Sequence, residues 1–253
     1  MPAPLQAEII DGIKTFIPLE NNPDVLKLLC ENLRISRDLD FYDIISTSPA
    51  FLQEYCYVRP CHALIVLARH PIYQAARSAV EPTIPEYKGS GPQEPVIWMK
   101  QTIGHACGLM ALLHVIFNLE GGRYVQPGTA IDALRQQAIL LGVTERAQLL
   151  YDAGFLEEAH MDAASRGASV VPSPRDDNQH HFLAFVQKDG KVWELNGGMN
   201  GPLCRGVLNE GEDLLSERGL EITAQDFLTA AEQTGCDEMS IVAITGADTV
   251  AQG

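Results

Sequence analysis

Residues 96–117 read VIWMKQTIGHACGLMALLHVIF, and this stretch decides the fold. Its first half has extended character and passes through Gly104 and Gly108 into a helix that is apolar on every side. Because a helix without a polar face is buried, we predict that it lies in the middle of the molecule. The apolar run from Cys107 to Phe117 is much shorter than the roughly 20 residues that cross a bilayer, so it predicts a core helix and no membrane span.

The segments before this stretch predict one helix, one strand and one loop. Residues 22–34 carry apolar side chains at helical spacing, after Asn22 as N-cap and Pro23 as first helical residue. Residues 63–68, ALIVLA, form a short apolar run that suits a strand buried on both faces. Residues 81–95 are rich in proline and glycine, which predicts an irregular surface loop.

The segments that follow predict more helices and a late strand. Thr144 is the expected N-cap of the second of these helices. The expected elements are helices over 129–141, 144–166 and 223–234, a flexible polar loop over 167–179, and a strand over 239–244.

The clearest local signal lies between residues 181 and 196. The runs HFLAFVQK and KVWELN are separated by Asp189-Gly190, the dipeptide expected of a two-residue hairpin turn. The turn makes residues 183 and 196 face each other, so His181 and Asn196 become diagonal neighbours whose Cβ atoms lie about 7 Å apart. The two side chains can therefore form a hydrogen bond.

Composition indicates an ordinary globular protein. Hydrophobic residues make up 46% and charged residues 20%, and no segment marks a boundary, so we expect a single domain over residues 1–253, α+β or mixed α/β with a central sheet. The N-terminal MPAPLQAEIIDG has no secretory signal pattern, so no export is expected. The net charge of -15 disfavours nucleic acid and suits a basic partner, although acidity also serves solubility.

Six cysteines are scattered through a chain that is large enough to fold without disulfides, which favours a reduced intracellular setting. Cys56, Cys61 and His62 lie together, but no second Cys/His pair follows at zinc-finger spacing. We therefore expect neither a metal nor a cofactor. The cysteines are Cys30, Cys56, Cys61, Cys107, Cys204 and Cys236.

Cys107 is a candidate nucleophile because it stands at the start of the buried helix. Backbone N–H groups at a helix start carry partial positive charge, which lowers the pKa of a thiol and offers donors to a developing oxyanion. A buried core cysteine is the alternative interpretation. His114, on the same helix, lies about 10 Å along the axis from Cys107 and is too far away to act as its base.

His181 and Asn196 can complete a catalytic set with Cys107. A cysteine–histidine pair can rest as thiolate and imidazolium, so the third residue only has to accept the second ring N–H, which an amide oxygen can do. Cys-His-Asn sets exist on an unrelated fold. Two ordinary polar residues at strand ends are the alternative for His181 and Asn196.

At these positions the sequence resembles the ubiquitin C-terminal hydrolase family of cysteine deubiquitinases. FIPLENNPDV at 16–25 resembles the family's opening strand WLPLEANPEV. MKQTIGHACG at 99–108 resembles MKQTIGNACG, and His181-Phe182 followed by DGKVWELNG at 189–197 resembles the family hairpin.

The resemblance implies a papain-like α/β/α fold with a mostly antiparallel central sheet. It implies Cys107 as nucleophile, His181 as base, Asn196 as the residue that orients His181, and Gln101 as an oxyanion donor beside the backbone N–H of Cys107. It also implies a crossover loop over about 159–179 that restricts the leaving group. The implied partner is ubiquitin or a ubiquitin-like protein, bound by a monomer in the cytoplasm or also in the nucleus, without nucleic acid or membrane.

Three positions depart from the family pattern. Asn196 replaces an aspartate, His105 replaces the usual asparagine, and Gly198 stands near a position that is often basic. Without the carboxylate the imidazolium of His181 is less stabilised, so we expect Asn196→Asp to raise both its pKa and the turnover rate.

These departures leave two other functions open. The first is a thiol enzyme of this fold that hydrolyses or transfers the acyl group of a small amide, ester or thioester. The second is a ubiquitin-binding protein without activity, which the intact Gln101, Cys107 and His181 disfavour.

Overall fold

The computed structural model describes residues 6–54 and 60–246. The strands in these ranges are β1 Glu8–Ile10, β2 Ile13–Thr15, β3 Leu39–Asp43, β4 Cys61–Arg69, β5 His180–Lys188, β6 Lys191–Leu195, β7 Leu203–Val207 and β8 Met239–Gly246. The α-helices are α1 Pro23–Asn32, α2 Pro49–Glu54, α3 His70–Arg77, α4 Cys107–Asn118, α5 Ala130–Leu140, α6 Val143–Asp152, α7 Gly154–Ala164, α8 Glu217–Ile222 and α9 Gln225–Thr234.

Six strands form a central antiparallel sheet in the order β3-β8-β4-β5-β6-β7. Its middle strand β4 is apolar on both faces, because helices cover both. Ile65 faces a core shared with α1 and α4, whereas Leu64 and Val66 face a core shared with α3 and α9. The predicted α/β/α arrangement around a central antiparallel sheet is confirmed.

The local signals that were read from the sequence explain the main elements. The side chain of Asn22 accepts a hydrogen bond from the N–H of Asp24 at 2.9 Å and caps α1. Asp189 and Gly190 have φ values of 52° and 73°, and this left-handed pair forms the turn between β5 and β6. Helix α4 has no exposed residue. The predicted helix over 22–34, the hairpin and the buried helix at Cys107 are thus confirmed.

Residues 144–166 were predicted as one helix, and this was wrong. Helix α6 begins at Val143 after Gly142 as N-cap, and it ends at Asp152. Ala153 leaves the helical region with ψ at 85°, and α7 begins at Gly154. Glycine has a low helix propensity, so an interruption beside Gly154 costs little.

The segment from Phe16 to Asn22 is not a strand, contrary to the resemblance-based prediction. Pro18 has no N–H to donate to a ladder, and the preceding residues already form a hairpin of β1 and β2. Its turn is Asp11-Gly12, with φ values of 51° and 82°. The hairpin was not predicted, although it uses the same dipeptide signal.

Two loop predictions need new bounds. Residues 159–164, the start of the predicted crossover loop, belong to α7, so only 165–179 lack helix and strand. The irregular segment 81–95 begins with a single 3₁₀ turn at Glu81–Thr83.

Cys56 of the predicted cysteine cluster lies outside the described residues. Within 6–54 and 60–246, Cys30, Cys107, Cys204 and Cys236 are free thiols, and no group of three His, Cys, Asp or Glu side chains is arranged to hold a metal ion. No helix in the same two ranges is long and apolar enough to span a bilayer.

Candidate active site

Cys107 is the first residue of α4, and only 6% of its surface is exposed. Burial raises the pKa of its thiol, while the backbone N–H groups of Phe182 and Gly108 act in the opposite direction. The interaction with Phe182 places the thiol beside β5. Phe182 directly follows His181 in the sequence. The thiol therefore has backbone N–H donors from two elements, the start of α4 and strand β5.

His181 contacts Asn196 as the hairpin register predicted. Its Nε2 lies 2.8 Å from Oδ1 of Asn196, which also accepts a hydrogen bond from the N–H of Gly198 at 2.9 Å. A backbone N–H can only donate, so the atom that faces Gly198 must be the amide oxygen. Nε2 of His181 is therefore protonated, and Nδ1 is left as the basic nitrogen.

The environment of His181 favours the neutral ring. Burial lowers the pKa of His181, and the hydrogen bond with Asn196 raises it in part. The side chain of Tyr73 packs against the imidazole, with ring centroids 4.6 Å apart and planes inclined by 54°. Tyr73 was not identified from the sequence.

Asn196 follows β6 directly and is 1% exposed. Its Nδ2 donates to the hydroxyl of Tyr73 at 2.9 Å, and its backbone carbonyl accepts from Nε1 of Trp98 at 3.1 Å. Together with the Gly198 contact, every polar atom of the side chain is bonded. The amide therefore occupies one defined orientation.

Gln101 lies beside the turn that follows Asn196. Its backbone N–H donates to the carbonyl of Gly197 at 2.9 Å, and a Cβ at Gly197 would lie only 2.9 Å from Cβ of Gln101. The side-chain amide donates one hydrogen bond to the carbonyl of Ile103 at 3.0 Å. An amide NH₂ has two donors, and this hydrogen bond uses one of them.

Two buried side chains of α4 hold the segment that leads to Gln101. Nε2 of His114 accepts from the N–H of Met99 at 3.0 Å, and Asn118 exchanges two hydrogen bonds with the backbone of Ile97. The sequence pattern had excluded His114 as the base without revealing this supporting contact.

His105 has φ at 55°, a left-handed conformation that is uncommon for a residue with a side chain. Asparagine adopts this conformation more readily than most residues. This left-handed conformation explains why asparagine is the usual residue at the position of His105 in the resemblance described above. Histidine is also enriched in the left-handed region, so it fits the same backbone conformation.

Two clefts lie near the candidate site, one lined by His105 and the other by Phe182. One, of about 320 Å³, lies between the β1–β2 hairpin, His105 and residues 174–178. The other, of about 440 Å³, is lined by residues 18–22, Leu67 and Phe182 among others. Asn178 lines both, so the segment 165–179 runs between them.

The segment 165–179 is bonded to the N-terminal part of the chain through two carboxylates, Glu20 and Glu8. Glu20 accepts hydrogen bonds from the N–H groups of Ala168 and Ser169 at 3.0 and 2.7 Å. Arg175 forms an ion pair with Glu8 of β1 at 2.7 Å. Carboxylates also line the clefts, which suits a basic ligand. They are Asp11, Asp176 and Asp177 in the first and Glu20 and Asp43 in the second.

The sequence is similar to those of curated ubiquitin carboxyl-terminal hydrolases. The chain is 33% identical over 193 residues to a probable ubiquitin carboxyl-terminal hydrolase of Dictyostelium discoideum, covering 75% of this chain and 74% of the relative. It is 30% identical over 192 residues to a ubiquitin carboxyl-terminal hydrolase of Aplysia californica, covering 76% and 86%.

Its fold matches the Trichinella spiralis UCH37 catalytic domain, solved bound to ubiquitin vinyl methyl ester, with a TM-score of 0.68, 16% identity, and coverage of 92% of this chain and 95% of that one. The sequence model of the peptidase C12 family matches residues 16–227, which include every candidate catalytic residue. The chain therefore belongs to that family, the ubiquitin carboxyl-terminal hydrolases, family 1.

Proposed function

We propose that this protein is a thiol-dependent hydrolase that releases small adducts from the C-terminal glycine of ubiquitin. The observation that carries the proposal is the orientation of His181, whose Nε2 is held by Asn196, which leaves Nδ1 as the basic nitrogen. The next residue on the same strand, Phe182, offers its backbone N–H to the Cys107 thiol. This arrangement supplies a nucleophile and a base in a family of ubiquitin hydrolases.

The reaction has two halves. His181 takes the proton of the Cys107 thiol on Nδ1, and the thiolate attacks the carbonyl carbon of the substrate glycine. The backbone N–H of Cys107 and the free N–H of Gln101 stabilise the oxyanion. The imidazolium then protonates the leaving amine, and a glycyl thioester remains. Water, deprotonated by His181, cleaves the thioester and restores the thiol.

Charge and loop geometry support this substrate class. The ubiquitin C-terminal tail is basic, and both clefts carry carboxylates. The segment 165–179 separates the clefts and is bonded to Glu20 and Glu8, so a leaving group must fit beside a restrained chain. Small or unfolded adducts meet that condition.

The protein is expected to act as a monomer. It is expected in the cytoplasm or nucleus, because a reducing compartment keeps Cys107 as a thiol. Ubiquitin or a ubiquitin-like protein is the expected partner, with no role for nucleic acid or membrane.

The test is hydrolysis of ubiquitin that carries a fluorogenic amide at its C-terminus, with Cys107→Ala as the matched inactive variant. We expect release that falls by about 10³-fold or more in the variant. Ubiquitin joined to a folded protein through the same bond should be cleaved much more slowly.

Absence of release would overturn the proposal. If Cys107 is then still alkylated rapidly by iodoacetamide, the protein is a thiol enzyme with another acyl substrate. Ubiquitin binding without release would instead indicate a binding protein.

A further inference from the structure

The third member of the candidate catalytic set depends on a residue from another element. Asn196 is buried, and an amide has no charge to fix its orientation toward an imidazole. Its Oδ1 is used by His181 and Gly198, at 2.8 and 2.9 Å. Its Nδ2 then requires an acceptor, which the hydroxyl of Tyr73 provides at 2.9 Å.

Tyr73 touches the base as well as the amide. Its ring lies 4.6 Å from the ring of His181, so one side chain limits both the tilt of the imidazole and the rotation of Asn196. We propose that Tyr73 is a positioning residue that holds the His181–Asn196 pair in the orientation needed to activate Cys107.

The position of Tyr73 is itself fixed. It lies on α3, where Arg77 forms two hydrogen bonds of 2.8 Å with Glu194. Glu194 lies two residues before Asn196, on β6. The ion pair therefore fixes the position of α3 along β6. Tyr73 lies one helical turn before Arg77 on α3, where its hydroxyl contacts the side-chain amide of Asn196.

A hydroxyl at this position fits both asparagine and aspartate. Toward Asn196 it accepts from the NH₂ group, and toward an aspartate it can turn and donate its own proton. A phenylalanine can do neither. The hydroxyl of Tyr73 is therefore compatible with asparagine at a position where the resemblance implies aspartate.

The test is a set of four proteins: the wild type, Tyr73→Phe, Asn196→Asp and the double variant. The main readout is the rate of Cys107 alkylation by iodoacetamide over a pH series, because it reports the thiolate–imidazolium pair without any substrate. Tyr124→Phe is the matched control, since it also removes a hydroxyl from a buried tyrosine. Tyr124 follows the C-terminal end of α4, whereas Cys107 is the first residue of that helix.

We expect Tyr73→Phe to slow alkylation at neutral pH by about tenfold and to move its pH profile upward, because the imidazolium loses its oriented partner. Tyr124→Phe should leave the profile unchanged, even where it lowers the melting temperature. The effects of Tyr73→Phe and Asn196→Asp should not be additive, because the two side chains are in contact.

An alkylation profile of Tyr73→Phe identical to that of wild type, or additive effects in the double variant, would overturn the inference. It rests on the proposed thiol mechanism, but the two fail separately. Ubiquitin hydrolysis with an unshifted profile contradicts only the role of Tyr73. A shifted profile without ubiquitin hydrolysis contradicts only the proposed substrate.

Discussion

Arg77 and Glu194 form a two-pronged ion pair inside the protein. Nε and Nη2 of Arg77 each lie 2.8 Å from an oxygen of Glu194, and neither side chain has exposed surface. Asp226 adds a further contact to the guanidinium at 2.9 Å. The pair joins α3 to β6 two residues before Asn196. It therefore contributes both to the stability of the fold and to the position of Asn196 in the candidate site.

Replacing only one partner of this pair should strongly destabilise the protein. Arg77→Leu leaves the Glu194 carboxylate buried without its main partner, and we expect a loss of about 3–5 kcal/mol in the free energy of unfolding, measured in urea. Arg77→Leu/Glu194→Leu should lose less than the sum of the single variants. The exposed pair Arg218–Glu221 is the control, and breaking it should cost about 1 kcal/mol or less. Equal losses at both pairs would contradict this account.

Asn196→Asp should make the site more active. Burial lowers the pKa of His181, and a carboxylate 2.8 Å from Nε2 would oppose that effect by stabilising the imidazolium. The protonated ring would then persist to higher pH, so the alkaline limb of the kcat/KM profile should move up by about one pH unit. Turnover should rise with it. An unchanged profile, or reduced activity, would show that the amide serves as well as a carboxylate.

Gly104→Ala should impair the site through the N-terminal hairpin. A Cβ at Gly104 would lie 2.7 Å from Oγ1 of Thr15, and Gly104 also exchanges backbone hydrogen bonds with both neighbours of Thr15. The displaced backbone leads into Cys107, so we expect kcat/KM to fall by about 10- to 100-fold.

Thr15→Ala should restore part of the activity in the double variant, because it removes the two atoms that clash first. Gly154→Ala is the control, since a Cβ there meets nothing within 4 Å. If Thr15→Ala rescues nothing, the effect of Gly104→Ala has another origin.

His160 should make the protein sensitive to acid. Burial lowers its pKa to about 4, and its Nε2 donates to the carbonyl of Ile17 at 2.7 Å. Between about pH 6.5 and pH 4, His160 binds a proton in the unfolded chain but stays neutral in the folded protein. The free energy of unfolding therefore decreases as the pH falls through this range. This one residue contributes a slope of up to about 1.4 kcal/mol per pH unit in that window.

His160→Gln keeps a donor for Ile17 but cannot titrate, so urea unfolding at pH 7, 6 and 5 should show a correspondingly shallower loss of stability. An equal slope in wild type and His160→Gln would contradict the prediction.

Local signals in the sequence predicted the parts of the site that depend on short-range order. The Asp189-Gly190 turn fixes the register of β5 and β6, and that register places His181 beside Asn196. The apolar helix and its flanking glycines located Cys107 at a helix start. Each of these features is decided within about twenty residues of chain.

Two of the features that were missed depend on contacts between distant segments. Tyr73 meets Asn196 because α3 packs beside β6, and no spacing pattern encodes that meeting. The ion pair of Glu8 with Arg175 likewise joins the N-terminal hairpin to the segment 165–179. The break between α6 and α7 was missed because apolar periodicity continues through Ala153 and only the backbone departs from it.

The order of strands in the central sheet has a consequence for how the protein folds during synthesis. Strand β8, the last in the described chain, lies between β3 and β4 in the sheet. Synthesis runs from the N-terminus, so a growing chain already carries its reactive thiol, imidazole and amide while β4 still has one open edge. The two parts of the sheet join only when residues 239–246 arrive, so the strand synthesised last in the described chain completes the sheet that carries the candidate site.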